Sequence, residues 1–267
     1  MSSTSKSIAQ VGTLFQSAQA SGALSPAGAA SISIPDMGAQ IQAGLGISVD
    51  DVTASEVFLV TVLLDDSGSI RFVPGNTEAV RDGYNGVLDA LVASKQDDSI
   101  LAASYLLNNG LLDAYGSLRV ATRLDSHNFN PSGGTPLYER ALEVLATVLA
   151  KTQEFADNGV PVRSATLLVT DGGANGFQAT AAQVRALVTD LLRQECHIVA
   201  GMGVDDGTTD FRQVFREMGV RDEWILAPKN TPSEVRKAFG AFSRSAVRAS
   251  QSAGSFSQTA VGGFAAP

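Results

Sequence analysis

From residue 58 onward the chain alternates between short, continuous apolar runs and longer segments whose apolar residues recur every three or four positions. Runs of the first kind read as strands buried on both faces, and segments of the second as helices with one buried face. The strand candidates are Phe58 to Leu64, Ile100 to Leu107, Leu118 to Leu124, Ala165 to Thr170, His197 to Val204 and Glu223 to Ala227. Between them, Val80, Tyr84, Val87, Leu88 and Leu91 mark one helix, and Leu137, Ala141, Val144, Leu145 and Val148 a second. Val184, Leu187, Val188, Leu191 and Leu192 mark a third, and Val235, Phe239, Phe242 and Ala246 a fourth. This alternation predicts a doubly wound α/β fold, a mostly parallel sheet with helices on both faces. The gap between the second and third strand candidates suits a hairpin rather than a crossover, so one edge strand is expected to be antiparallel.

Residues 1–57 are rich in Ala, Gly, Ser and Gln, with Ile8, Val11, Leu14 and Phe15 at helical spacing and a weaker pattern around "DMGAQIQAGLG". They read as an N-terminal extension of short helices ahead of a domain spanning 58–250. Residues 251–267, "QSAGSFSQTAVGGFAAP", read as a low-complexity tail for which disorder is the default, with Phe256 and Phe264 as isolated docking candidates.

Composition narrows the function. With 27 acidic against 19 basic residues and no run of consecutive Lys and Arg, nucleic acid and anionic membrane are poor partners. Cys196 is the only cysteine, which excludes an intramolecular disulfide and a thiolate metal cluster. No apolar run approaches the roughly 20 residues of a membrane span, and the N-terminus lacks an h-region. A soluble, cytoplasmic protein is expected.

In an open α/β sheet, ligands bind beyond the carboxyl ends of strands. Three such ends stand out. The first strand runs into Asp65-Asp66-Ser67-Gly68-Ser69; "PSGGTPLYER" carries Thr135, a possible helix cap, before Pro136; and Asp171 follows a buried run in "LLVTDGGANG". Singly, each reads as a turn or cap. Together, two carboxylates and three hydroxyls without imidazole or thiolate suit a hard cation: magnesium, manganese or calcium. Asp65 and Asp171 would just balance a divalent charge, leaving such an ion able to accept one more anionic oxygen.

The spacing Asp-x-Ser-x-Ser at 65, 67 and 69, Gly-Gly-Thr-Pro-Leu-Tyr at 133 to 138 and Thr-Asp-Gly at 170 to 172 resembles the metal-ion-dependent adhesion site (MIDAS) of von Willebrand factor type A (VWA) domains. The resemblance covers about residues 58 to 250. It implies a six-stranded sheet and direct metal contacts from Ser67, Ser69 and Thr135. Asp65 and Asp171 would then act through water or hydrogen bonds, and a Glu or Asp of a partner protein would complete the coordination. The "GGTPLY" form and the last helix are similar to bacterial intracellular members from tellurite-resistance and stress-response clusters, which makes an ATPase or another operon-encoded component a plausible partner.

Other readings fare less well. An aspartic protease needs a second Asp-Ser-Gly or Asp-Thr-Gly, and the chain offers only "TDGG". A magnesium-dependent hydrolase or phosphotransfer enzyme needs a nearby acid or base; Arg71 and Arg140 are the nearest cations in sequence, and Asp66 the only spare acid, expected to face solvent or support the site. His127 reads as a surface-loop residue, and His197 as the buried start of a strand away from the cluster. "GMGVDDGTTDF" lacks the lysine of a phosphate loop and reads as a strand exit before a capped helix, near the site's rim. A structural subunit whose metal only staples loops stays open.

Overall fold

The computed structural model describes residues 8–32, 37–94, 96–171, 173–176, 178–251 and 263–264. Six strands form one sheet: β1 (Val57–Leu64), β2 (Ile100–Leu106), β3 (Gly110–Ser117), β4 (Val162–Thr170), β5 (His197–Gly203) and β6 (Ile225–Leu226). Their order is β3-β2-β1-β4-β5-β6, and every pairing is parallel except β2 with β3. Residues of β1, β2, β4 and β5 are buried throughout, as strands covered on both faces require.

Strand order reverses direction between β1 and β4, the position at which such sheets open a crevice at their carboxyl ends. Register fixes what meets there. Leu63 lies opposite Leu168, so two residues further on Asp65 comes alongside Thr170 and the adjoining Asp171.

The helices covering the sheet are α4 (Asn76–Val92), α5 (Leu137–Asp157), α6 (Ala181–Arg193), α7 (Phe211–Glu217) and α8 (Pro232–Gln251). In α4, α6 and α8 the apolar stripe read from the sequence faces the core, with only Leu192 half-buried. Helix α5 departs from the expectation of one buried face. It buries Glu143, Thr147, Lys151, Thr152, Gln153 and Glu154 as well, because the N-terminal segment packs over its outer side.

That segment forms α1 (Ile8–Ala20), α2 (Pro26–Ile32) and α3 (Met37–Gly44), laid against α5, α6 and β3. Polar contacts fix it. The N–H and hydroxyl of Ser25 donate to Oδ2 of the buried Asp190 at 2.9 and 2.8 Å. Lys151, with no exposed surface, donates to the Ile47 carbonyl and pairs with Glu154 at 3.0 Å. Gly46 turns with φ +61 so tightly that a Cβ there would lie 2.0 Å from the Tyr115 carbonyl oxygen.

One expectation needs correction. The third strand is Gly110–Ser117, not Leu118 to Leu124, which instead begins with a 3-10 turn at Leu118–Val120. Gly110, at φ +77, opens β3 after a three-residue loop, 107–109, a connection short enough for a hairpin but not for a crossover. Asp113 disguised this strand, since its carboxylate accepts from Ser104, Thr122 N–H and Thr122 hydroxyl at a register shift of the pair. Within the tail, one of the two docking candidates is seated on the domain. Phe264 packs edge-on against Trp224 with ring centroids 5.2 Å apart, and its N–H donates to the Glu223 carbonyl. Phe256 lies outside the described residues.

Candidate metal-binding site

Asp65 has no exposed surface. Its Oδ1 accepts the Ser67 N–H at 2.8 Å, and its Oδ2 accepts the Thr170 hydroxyl at 2.9 Å and the Asp171 N–H at 3.0 Å. One carboxylate thereby shapes the loop after β1 and ties it to the end of β4.

The turn Gly68–Phe72 starts at Ser67, whose side chain caps nothing. Both serine hydroxyls are therefore free to face Asp171. Ser67 Oγ and Ser69 Oγ lie 2.9 Å apart and donate to Asp171 Oδ1 at 3.1 and 2.7 Å. Ile70, 1% exposed, anchors the turn, whereas Phe72 at its end is 82% exposed.

Thr135 arrives from the third loop. Gly68 N–H donates to the Gly133 carbonyl at 3.2 Å and Ser132 N–H to the Asp66 carbonyl at 2.6 Å, which draws residues 132–135 onto the first loop. Helix α5 begins at Leu137 with Pro136 as its cap residue and no side-chain cap bond. The cap role expected of Thr135 is thus not filled. Its hydroxyl makes no hydrogen bond to another described residue, in a side chain that is 4% exposed.

Of the two placements expected for Asp66, facing solvent is excluded, since it has no exposed surface. Its carboxylate accepts from the backbone and side-chain N–H groups of Asn108 (2.7 and 3.2 Å) and of Asn109 (3.3 and 2.6 Å). Both of its carboxylate oxygens are thus engaged by the β2–β3 turn. Arg140 donates to the Leu107 carbonyl and pairs with Glu143, and Arg71 is exposed. His197 is fully buried at the start of β5 with Nδ1 2.7 Å from Ser164 Oγ, and His127 is in an exposed loop. Asp210 caps α7 through the Gln213 N–H, and Thr209 reaches the rim beside Gly173.

Electrostatically the cluster is short of positive charge. No described ion pair involves Asp65, Asp66 or Asp171. Burial first, and then the charge of Asp65, raise the Asp171 carboxyl to about 7 despite the two serine hydroxyls. Burial likewise raises Asp65, against the hydrogen bonds that lower it. No group of three His, Cys, Asp or Glu side chains suited to a metal occurs among the described residues. A cation here would depend on hydroxyl oxygens, and the two serines and Thr135 supply them. The donor set is all oxygen, anionic and uncompensated, and it fits a hard divalent ion.

The sequence did not reveal Asn108 and Asn175. Asn175 Oδ1 accepts the Thr135 N–H at 2.6 Å. Each asparagine stands in an Asn-rich or Asn-Gly stretch whose only visible signal is a turn.

No known protein-family profile matches the chain, and no curated protein does. Solved structures are similar in fold. The pilus adhesin SpaC of Lactobacillus rhamnosus GG, in its open conformation, has a TM-score of 0.52 and 14% identity over 73% of this chain and 30% of its own. Proximal thread matrix protein 1 of the mussel byssus has a TM-score of 0.51 and 16% identity over 72% of this chain and 46% of its own. The VWA domain of SpRpn10 has a TM-score of 0.49 and 10% identity, over 69% of this chain and 94% of its own. The chain thus spans less than half the length of the adhesin and the byssus protein. At these identities the likeness concerns fold alone. The sheet order, the single antiparallel edge strand and the flanking helices are those of the doubly wound, mostly parallel α/β fold expected from the sequence.

Proposed function

We propose that the protein is a non-enzymatic binding module that holds an acidic residue of a partner protein through a divalent cation, magnesium or manganese, in a MIDAS-type site. Ser67, Ser69 and Thr135 would hold the ion, with Asp65 and Asp171 orienting those hydroxyls. When bound, the ion would supply a Lewis-acidic position open to one external carboxylate oxygen.

The observation that carries this reading is the buried anionic cluster with hydroxyls gathered on Asp171 and no compensating cation. Two rivals lose ground. Hydrolysis or phosphotransfer needs a proton-transfer group in reach, and Asp66, Arg140 and His197 are engaged by other partners, while Arg71 and His127 are exposed. A metal acting only as a staple is redundant, because backbone and carboxylate hydrogen bonds already join the three loops. Phe72, exposed beside the site, offers a partner an apolar contact next to the ion.

Retention of partners from native lysate in magnesium and in EDTA tests the reading. Thr135→Ala is the cleaner variant, since Asp65→Ala would also remove three hydrogen bonds that shape the loops. A partner retained only with magnesium, and lost in Thr135→Ala at unchanged melting temperature, is expected. Identical protein lists in magnesium and EDTA would refute the metal bridge.

A further inference from the structure

Thr135 is gripped by a residue that coordination itself does not require. Asn175 accepts the Thr135 N–H through Oδ1 at 2.6 Å, and its own N–H donates to the Thr135 carbonyl at 3.0 Å. On the other flank, Asn108 Nδ2 donates to the Gly134 carbonyl at 2.9 Å and to Asp66 Oδ1 at 3.2 Å. The backbone at 134–135 is suspended between two asparagines.

Glycines make room for both. A Cβ on Gly134 would lie 2.9 Å from Asn175 Oδ1, and one on Gly133 2.8 Å from Asn108 Oδ1. Glu139, in the first turn of α5, fastens the same loop further along by accepting the Gln178 N–H at 2.9 Å. Without such fastening, a stretch with Gly133 and Gly134 facing one with Gly173 and Gly176 would sample many backbone conformations.

We propose that Asn175 is a positioning residue that presets Thr135 beside the Asp65–Asp171 cluster, with Asn108 holding the opposite flank, so that the hydroxyl is in place before any ligand arrives. This rests on the metal-site reading above. The ordering cost then falls on folding rather than on binding, and affinity rises accordingly.

The test compares the full-length wild type with Asn175→Ala and Asn175→Asp. The side chain is exposed, so melting temperatures should agree. Two measurements follow: exchange of the Thr135 N–H by NMR in metal-free protein, and manganese affinity from the signal of free Mn²⁺ in electron paramagnetic resonance. Asn175→Ala should expose the Thr135 N–H to exchange and weaken manganese binding about ten-fold, the equivalent of one lost hydrogen bond. Asn175→Asp should restore both, because a carboxylate oxygen accepts the same N–H. Wild-type manganese affinity in Asn175→Ala overturns the proposal, as does Thr135 exchange equally fast in wild type and Asn175→Ala. A wild type that binds no manganese yet protects its Thr135 N–H through Asn175 supports the clasp and overturns the metal reading instead.

Discussion

Lowering the pH from 8 to 6 should weaken magnesium or manganese binding at the strand-end cluster about ten-fold. Asp171 sets this figure. Its carboxyl, raised to about 7 by burial and by the charge of Asp65, is ionised at pH 8 in the metal-free protein. At pH 6 it holds a proton that a cation must displace. One displaced proton costs a factor of ten per pH unit below the pKa, or about 1.4 kcal/mol across this range. Asp65, also raised by burial, can only steepen the slope. The same shift acts on the fold with the opposite sign. A carboxyl whose folded pKa exceeds its ordinary 3.8 makes the metal-free fold more stable at low pH, and that contribution is lost as the pH rises through about 7. Added cation should therefore raise the melting temperature more at pH 8 than at pH 6. Isothermal titration calorimetry across this range, on wild type and Asp171→Asn, measures both slope and cause. A wild-type affinity that is flat with pH, or a slope that persists in Asp171→Asn, would refute the reasoning.

Burial lowers the His197 imidazole to about 4, and its Nε2 has no partner among the described residues. A folded pKa below 6.5 gives stability that is complete above pH 6.5 and declines as the pH falls toward 4, by about 2 kcal/mol at pH 5. The gap in unfolding free energy between wild type and His197→Gln should shrink by that amount from pH 7 to pH 5, a comparison that cancels the opposing titration of Asp171; a constant gap contradicts it. Gly46→Ala combines a positive φ with a clash on the Tyr115 carbonyl and should destabilise by about 2–4 kcal/mol, read as a lower urea midpoint with faster proteolysis in α1–α3; an unchanged midpoint would show that the segment is not held there. Phe72→Ser, at an exposed position, should move the melting temperature by no more than about 2 °C while reducing recovery of a magnesium-dependent partner. Undiminished recovery removes Phe72 from the binding face.

The sequence by itself determined the α/β class, the antiparallel edge and the helical stripes, because burial on one face or two leaves a period in the chain. It also singled out Asp65, Ser67, Ser69, Thr135 and Asp171, since residue types carry chemistry wherever they sit. Tertiary structure alone decided what surrounds them. Asp66 and Asp65 are adjacent in sequence, yet one binds the β2–β3 turn and the other the end of β4, a division set by strand order. Asn108 and Asn175 read locally as turn residues, and their hold on the 134–135 backbone exists only because β2 and β4 both flank β1. The burial of polar residues along the middle of α5 and the choice of Trp224 as the seat of Phe264 were hidden for the same reason. Periodicity records which face of an element is apolar, whereas a polar residue covered by a distant segment leaves no local trace.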